Sequence, residues 1–377
     1  MKGTQGYRAD CRFFTGEKPC APHKTEGVTC GSCPRYQAIK GIRLIFKLAA
    51  AGDVLRSTAI IPALRRRFPQ SALWWITAPG SKPLLQGHPG LDWISDYLSP
   101  ISGILEKTTF EAVYNLDMSR ESCSMLAQIK KPGKVYGFKL SKLGTVVPAN
   151  SLSRGWFNMG LWDSIKRGNR LTYQEHLLGM SGLEPGEDKP ELYLSQAELD
   201  FGREFHRNKR LGRYSKLVGF NIGAGGRWPT KKWPSENFIQ LARLIKTRQP
   251  KTGILLYGGP EESAALAKMA ARLKGTAVNT GSDNSLRRFA ALVGLSDILV
   301  TGDTLALHVG VALGLRVAAL FGPTSDSEID LYGNGVKLTP STACVCYYLD
   351  HCRRDTPCLS QLTAETVYHS IFAGSPR

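Results

Sequence analysis

The sequence has no long apolar run and none of the common nucleotide-binding signatures. No uninterrupted apolar stretch approaches the ~20 residues of a membrane-spanning helix, and the segment MKGTQGYRADCRFF lacks the apolar core of a signal peptide. We therefore expect a cytoplasmic protein that reaches a membrane only through basic surface patches. Neither a Walker A sequence nor G-x-G-x-x-G is present, so any phosphate site must be built in another way.

Acidic residues are scarce relative to basic ones. The 377 residues include 49 Lys and Arg against 31 Asp and Glu, which gives a net charge of +18 and an isoelectric point of about 9.6. This balance favours an anionic partner: a nucleic acid, a phosphorylated lipid or a phosphorylated small molecule. A nucleic-acid-binding protein would interleave cations with aromatic residues on one face, whereas Trp74 and Trp75 lie in an apolar strand pattern. We therefore expect no nucleic-acid partner.

The spacing of apolar residues predicts an α/β protein with two doubly wound, Rossmann-like domains facing a cleft. Apolar runs such as ALWWIT, LVGFNI and TGILLYG alternate with helical stretches such as SENFIQLARLIKTR. Pro62 is expected to kink the first helix, because proline removes a backbone donor. We predict a cysteine-rich module over residues 1–40, domains over 41–183 and 184–343, and a cysteine-rich segment with a C-terminal helix over 344–377.

An apolar strand followed by Gly-Asp at the beginning of a helix occurs once in each half of the chain. The first pair is Gly52 and Asp53, and the second is Gly302 and Asp303. Open α/β sheets bind ligands beyond the carboxyl ends of their strands, where helix N-termini offer free N–H groups. The two carboxylates are therefore expected to face one cleft, although either could instead cap its helix.

The loop GAGGRWPTKKWPSENF has the features of a phosphate-binding loop. Gly223 and the glycines after it allow the backbone to approach a ligand closely, while Arg227, Lys231 and Lys232 supply positive charge. The alternative is a solvated basic loop without a ligand. We predict that this loop binds phosphate groups in the second domain.

The turn at Asp303 suits a sugar beside that phosphate site. Phosphates would repel Asp303, whose natural partner is a sugar hydroxyl, whereas Thr304 and the helix N–H groups suit phosphate oxygens. Phosphate and sugar together indicate a nucleotide sugar. His308, one turn further on, fits either a ligand contact or a buried core histidine. Asp53, in the domain without the phosphate loop, is the candidate general base for a second substrate.

These motifs together resemble glycosyltransferase family 9, the heptosyltransferases of lipopolysaccharide assembly. The resemblance spans about residues 42–324 and is carried by AAAGDVLRSTAIIPALRRRFP, GAGGRWPTKKWPSENF, LLYGGPEE and GDTLALHVGVALGLRVAALFGPT. It implies a GT-B fold with an acceptor-binding first domain, a donor-binding second domain and a last helix that packs back on the first domain. The chain departs from the family at Leu305, where many members have glycine, and residues 139–170 match none of its motifs.

The resemblance implies inverting, metal-independent transfer of a heptose from an ADP-sugar to an anionic, lipid-linked glycan of the lipopolysaccharide core. The resemblance also implies an enzyme that acts in the cytoplasm, at the cytoplasmic face of the inner membrane. Carried over by motif, Asp53 would be the base, Lys231 would neutralise the diphosphate, Asp303 would hold the donor sugar and Thr304 would contact the phosphates. The alternative enzyme class is a nucleotide-sugar epimerase of the same architecture, which would convert the donor without an acceptor.

Eight of the nine cysteines lie near the ends of the chain. In a reducing cytoplasm clustered thiols favour a metal over disulfides, so a structural zinc ion or iron–sulfur cluster is expected there. Catalysis itself is expected to need no cofactor. The remaining Cys123 is expected to be a small buried side chain. The two sets of candidate ligands are Cys11, Cys20, Cys30 and Cys33, and Cys344, Cys346, Cys352 and Cys358.

Overall fold

A computed structural model describes residues 6–226 and 228–372 and shows a small N-terminal module followed by two α/β domains. The module contains helix α1 (Ala21–Glu26) and an antiparallel bridge between Cys11 and Ala38. Its Arg12 donates to the carbonyl of Ser71 at 3.1 Å and pairs with Asp92 at 3.2 Å. Arg12 therefore helps to anchor the module on the first domain, together with the backbone N–H of Lys40, which donates to the carbonyl of Gln70 at 2.8 Å.

The first domain is built on a six-stranded sheet with the strand order β3-β2-β1-β4-β5-β6, in which only β6 is antiparallel to its neighbour. Helices cover both faces, which is why the central strands are apolar without alternation. The strands are β1 (Ile42–Phe46), β2 (Ala72–Thr77), β3 (Trp93–Asp96), β4 (Ala112–Asn115), β5 (Lys134–Leu140) and β6 (Val146–Pro148). The helices are α2 (Ala51–Ser57), α3 (Ile60–Arg67), α4 (Ser102–Lys107), α5 (Arg120–Ala127), α6 (Arg154–Leu161), α7 (Asp163–Gly168) and α8 (Tyr173–Met180).

The predicted kink at Pro62 is present as a break between α2 and α3. Proline has no N–H to donate to the carbonyl of Thr58, and that carbonyl accepts from Ile61 instead, at 2.9 Å. The break leaves α2 as a short helix that begins directly after β1. Its first turn therefore lies at the carboxyl end of the central strand.

The second domain repeats the same plan with an all-parallel sheet of order β12-β11-β10-β7-β8-β9. This confirms the predicted pair of doubly wound domains, whereas the predicted domain boundaries stay predictions. Within the described residues, no helix is long and apolar enough to cross a bilayer. The strands are β7 (Lys216–Asn221), β8 (Thr252–Tyr257), β9 (Ala277–Asn279), β10 (Ile298–Gly302), β11 (Arg316–Leu320) and β12 (Gly335–Leu338), and the helices are α9 (Gln196–Asn208), α10 (Ser235–Arg248), α11 (Ser263–Arg272), α12 (Leu286–Val293), α13 (Leu305–Ala312) and α14 (Ala364–Phe372).

The last helix packs on the second domain, so the packing on the first domain implied by the family resemblance is wrong. Val367, Tyr368 and Ile371 of α14 join the core formed around α10 and the strands of the second sheet. An ion pair between Arg248 and Glu365, 2.6 Å between nitrogen and oxygen, holds the outer side of the helix to α10. The apolar face of α14 is thus buried within its own domain.

In both domains the order of the strands along the chain reverses at the centre of the sheet, and the two centres face each other. The reversal lies between β1 and β4 in the first sheet and between β7 and β10 in the second. Arg287 of α12 bridges the domains, donating to the carbonyls of Pro83 and Gln86 at 3.0 and 3.1 Å while it pairs with Glu198. Such reversal points are where open α/β sheets bind ligands, which locates the candidate site.

Candidate active site

The helices that follow the two Gly-Asp turns pack against each other across the cleft. A Cβ atom on Gly52 would lie 2.5 Å from Cδ2 of His308, so only glycine allows α2 to approach α13 this closely. The cleft has a volume of about 500 Å³ and is lined, among others, by Asp53, Lys231, Asp303, Thr304 and His308. The structure therefore brings together these five of the predicted site residues.

Neither aspartate occupies the capping position that was the alternative explanation for it. The N-cap of α2 is Ala50, with Asp53 in the first turn, and the N-cap of α13 is Thr304, which follows Asp303. Both carboxylates therefore lie beside a helix N-terminus, whose dipole stabilises negative charge.

Asp53 is held in its charged form by two cations of its own domain. An oxygen of its carboxylate lies 2.8 Å from a guanidinium nitrogen of Arg56, one helical turn further on. Burial alone would raise the pKa of Asp53, but Arg56 and the buried Lys47 outweigh that effect and hold its pKa well below the usual value. Asp53 is thus ionised at neutral pH and still one-third exposed to the cleft.

Lys47 and Asp117 form a buried ion pair beneath Asp53, at the reversal point of the first sheet. Lys47 also donates to the carbonyl of Ala49 at 2.6 Å, and Asp117 accepts from the backbone N–H of Leu48. The pKa of Lys47 is raised, because Asp117 more than offsets the cost of burying the charge. These contacts fix the segment that leads into α2 and hence the place of Asp53.

The side-chain amide of Asn221 connects the glycine-rich loop to the turn at Asp303. The side-chain nitrogen of Asn221 donates to the carbonyl of Gly223 at 2.9 Å and to the hydroxyls of Thr301 and Thr304, both at 3.1 Å. The loop and the N-terminus of α13 border a second cavity of about 480 Å³. Ala224, Thr304 and Leu305 line both cavities, so the two are adjacent. Arg227 lies outside the described residues.

The two neighbouring lysines of this loop have different partners. Lys231 Nζ lies 2.8 Å from a carboxylate oxygen of Asp303 and 3.2 Å from its carbonyl oxygen. Burial would raise the pKa of Asp303, but Lys231 lowers it below the usual value. Lys232 instead pairs with Glu262 at 2.8 Å and borders neither cavity. The expected donor-binding role thus fits Lys231, while the structure does not bring Lys232 to the cleft.

His308 is neutral at physiological pH. Burial and the nearby Arg56 lower its pKa to about 4, although Asp303 and Asp53 act in the opposite direction. Its Nε2 lies 4.0 Å from Asp303 Oδ1, too far for a hydrogen bond. The imidazole therefore offers one donor and one acceptor to the cleft without adding charge.

A further group of cleft residues, not predicted from the sequence, comes from three distant segments. Lys166 Nζ lies 3.5 Å from the centre of the Tyr348 ring and 3.8 Å from Glu328. The Tyr348 hydroxyl is 3.4 Å from the same carboxylate. Helical spacing from Asp53 would have identified Arg56, but no motif connects the other three. The contacts of Tyr348 with Lys166 and Glu328 place the cysteine-rich segment, which carries Tyr348, over the cleft.

The cysteines are not paired as disulfides, and Cys123 is buried as expected. Cys11, Cys20, Cys30 and Cys33 line one cavity of about 300 Å³ in the N-terminal module. In the C-terminal set, Sγ of Cys344 lies 3.5 Å from Sγ of Cys346, with Cys352 and Cys358 close by. Within residues 6–226 and 228–372, however, no three or more His, Cys, Asp or Glu side chains are placed to hold a metal ion. The structure therefore lends no support to the predicted metal.

Comparisons with known proteins identify the family of the chain. The model of glycosyltransferase family 9 (heptosyltransferase) matches residues 104–352, which is more than half of the chain. The chain belongs to this family. It is accordingly a glycosyltransferase, as the sequence motifs predicted.

Individual relatives of the glycosyltransferase are distant in sequence but similar in fold. The lipopolysaccharide core heptosyltransferase OpsX of Haemophilus influenzae is 22% identical over 300 residues, 77% of this chain and 81% of OpsX. A family 9 glycosyltransferase of Veillonella parvula superposes with a TM-score of 0.74 at 18% identity, covering 89% of this chain and 97% of the other. The E. coli heptosyltransferase WaaC with ADP superposes with a TM-score of 0.58 at 16% identity, covering 88% and 96%. These likenesses confirm the GT-B fold.

The ionisation of Asp53 predicts that activity of the glycosyltransferase does not fall in mildly acidic solution. A general base is lost as the pH falls through its pKa, and the pKa of Asp53 is lowered by Arg56 and Lys47. We expect kcat/KM to stay within about twofold between about pH 5.5 and pH 8, measured by ADP release. A decline with a midpoint near pH 6 would contradict the predicted role of Asp53 as the base.

Proposed function

We propose that this glycosyltransferase moves a heptose, with inversion, from an ADP-sugar to the lipopolysaccharide core or a related lipid-linked glycan. The observation that carries the proposal is the convergence of an ionised Asp53 from one domain and the Lys231–Asp303 pair from the other on a single cleft. The family, the name of OpsX and the ADP bound in WaaC support the choice of donor and acceptor class. Since such an acceptor is held in a membrane, we propose that the reaction takes place at the cytoplasmic face of the inner membrane.

The donor is expected to occupy the second domain, with its diphosphate at Lys231. A lysine ammonium has three N–H groups, of which two serve the carboxylate and carbonyl of Asp303. The third is available to a phosphate oxygen in the cleft. The ADP moiety then extends into the adjoining cavity of about 480 Å³ beside the glycine-rich loop, where Thr304 and free N–H groups of α13 meet phosphate oxygens.

The transfer step needs a base on one side of the sugar and charge neutralisation on the other. The acceptor hydroxyl oxygen bonds to the anomeric carbon while the bond from that carbon to the ADP oxygen breaks. Asp53 receives the hydroxyl proton, and Lys231 neutralises the charge that develops on the departing diphosphate. Attack from the face opposite ADP inverts the anomeric centre. Asp303 accepts hydrogen bonds from sugar hydroxyls and so fixes the donor between the two groups.

A donor and acceptor screen, read by mass spectrometry, tests the proposal. Incubation with ADP-heptose and a heptose-deficient lipopolysaccharide core is expected to add one heptose mass to the core and release one ADP. ADP-heptose incubated alone is expected to remain unchanged apart from slow hydrolysis. Conversion of the donor to an isomer in the absence of any acceptor would overturn transfer in favour of epimerisation.

A further inference from the structure

The exposed large apolar residues of the described chain are concentrated in one segment of the first domain. Trp162 is 50% exposed, Leu161 48% and Ile165 43%, at the point where α6 ends and α7 begins. Single exposed apolar residues are ordinary on protein surfaces, whereas a group of them marks an interaction site. The exposed apolar side chains of the segment are Leu143, Leu152, Leu161, Trp162, Ile165 and Leu171.

These residues are exposed although the same helices also contribute to the core. In α6, Met159 is buried, and the Trp156 ring packs edge-on against Tyr173 with 5.1 Å between ring centres. The carbonyl of Trp162 accepts from the N–H of Ile165 at 3.1 Å, which places the two side chains one turn apart. The segment therefore has an apolar side toward the core and a second apolar side toward solvent.

The segment that carries this outer surface contains almost only positive charges. Asp163 is the one acidic residue between positions 139 and 171. Basic residues flank the apolar group on both sides of it in the sequence, and all but the half-buried Lys166 are exposed. They are Lys139, Lys142, Arg154, Lys166, Arg167 and Arg170.

The surface adjoins the mouth of the active-site cleft. Lys166 lines the cleft together with Asp53, and the guanidinium of Arg167 lies 4.1 Å from the centre of the Tyr347 ring. Ile165 precedes these two cations and remains in solvent. If a flat surface lay against α7, an acceptor anchored in that surface would present its glycan at the cleft opening.

We propose that the α6–α7 surface, formed by Leu161, Trp162, Ile165, Arg167 and Arg170, docks on an anionic lipid bilayer. Tryptophan and leucine side chains insert at the headgroup level, and the surrounding cations are attracted by anionic lipids. The excess of positive charge favours a lipid surface over a second copy of this basic chain. The inference rests on the proposed function, because it explains how a membrane-held acceptor reaches Asp53.

Vesicle flotation of the full-length protein tests the docking surface. The wild type is expected to float with vesicles of phosphatidylethanolamine and phosphatidylglycerol, about tenfold more strongly than with phosphatidylcholine, and to detach partly in high salt. The double variant Trp162→Ser, Ile165→Ser is expected to lose about tenfold in vesicle partitioning. Leu98→Ser, at a 73% exposed leucine between β3 and α4, is the matched control and should bind like the wild type.

Trp162→Phe distinguishes insertion from a loss of folding. It preserves an apolar ring, so binding should be retained, while the quenching of tryptophan fluorescence by brominated lipids should decrease relative to the wild type. Unchanged flotation of the Trp162→Ser, Ile165→Ser variant would overturn the proposal. It would also be overturned if that variant changed only the sedimentation of the free protein, which would indicate a contact between two copies.

The outcome can be separated from that of the proposed function. With a deacylated, soluble core glycan as acceptor, the Trp162→Ser, Ile165→Ser variant is expected to transfer heptose at the wild-type rate. With the acceptor in vesicles, its rate should fall in parallel with flotation. If no donor or acceptor supports transfer in the wild type, the proposed reaction fails while flotation still decides the docking surface.

Discussion

Asp53→Asn is expected to lower kcat for heptose transfer by about 10³-fold, within the range that general bases contribute. The amide has nearly the same shape but no lone pair basic enough to accept the acceptor's proton. Asp53 lies in the first domain and does not line the cavity beside the glycine-rich loop in which ADP is expected. The dissociation constant for ADP, measured by calorimetry, should therefore stay within about twofold.

Two further variants make this result interpretable. Asp53→Glu keeps the charge but moves the carboxylate by one methylene group, and it should retain more activity than the amide. Glu204→Gln, at an exposed position of α9, removes one negative charge far from the cleft and should have no effect. Wild-type turnover in Asp53→Asn, or an equal loss in Glu204→Gln, would exclude Asp53 as the base.

Much of the fold could be predicted because its central elements are buried on all sides. The run ALWWIT corresponds to β2, and SENFIQLARLIKTR corresponds to α10 at both ends. The edge strands β6, β9 and β12 were missed, since they are three or four residues long and only partly buried. Helices α6 and α7 were missed as well, because exposed apolar residues obscure their periodicity.

The candidate site was predictable where its residues belong to a motif that follows a strand. Asp53 and Asp303 come from the turns after β1 and β10, and the order of strands places such turns at the sheet centres. The partners of Lys231 and Lys232 could not be predicted, because adjacent residues in a loop point to different neighbours. Tyr348 reaches the cleft through a segment without regular structure, which no periodic pattern reveals.

The two Gly-Asp turns, equivalent in sequence, have unequal surroundings. Asp53 faces Arg56, a neighbour on its own helix, and keeps one-third of its side chain exposed. Asp303 is more deeply buried and tied to Lys231, the cation nearest to the expected diphosphate. Both carboxylates are paired with a cation, but an incoming hydroxyl can reach the more exposed Asp53, whereas the more buried Asp303 is better suited to hold a bound sugar. The same turn thus supports two different roles across one cleft.

Lys231→Ala is expected to lower kcat/KM for the donor by about 10² to 10³-fold, comparable with the loss of one preorganised charge-stabilising donor. ADP affinity should weaken by about tenfold, because one charge-assisted contact to the diphosphate is lost. The variant also leaves Asp303 without its main partner, so burial then raises the pKa of that carboxyl. Residual activity should therefore decline as the pH falls, unlike that of the wild type.

Lys232→Ala provides the matched comparison, since it removes the same charge from the next residue. Lys232 lines neither the cleft nor the adjoining cavity, and its partner Glu262 borders only the latter, so kcat should fall much less than in Lys231→Ala. Lys231→Arg, which keeps the charge with a different geometry, should restore part of the turnover lost in the alanine variant. Equal losses in the two alanine variants, with unchanged pH profiles, would show that Lys231 acts through the stability of the loop. A selective loss at Lys231 with a new acid-side decline would identify the Lys231–Asp303 pair as the group that holds diphosphate and sugar together.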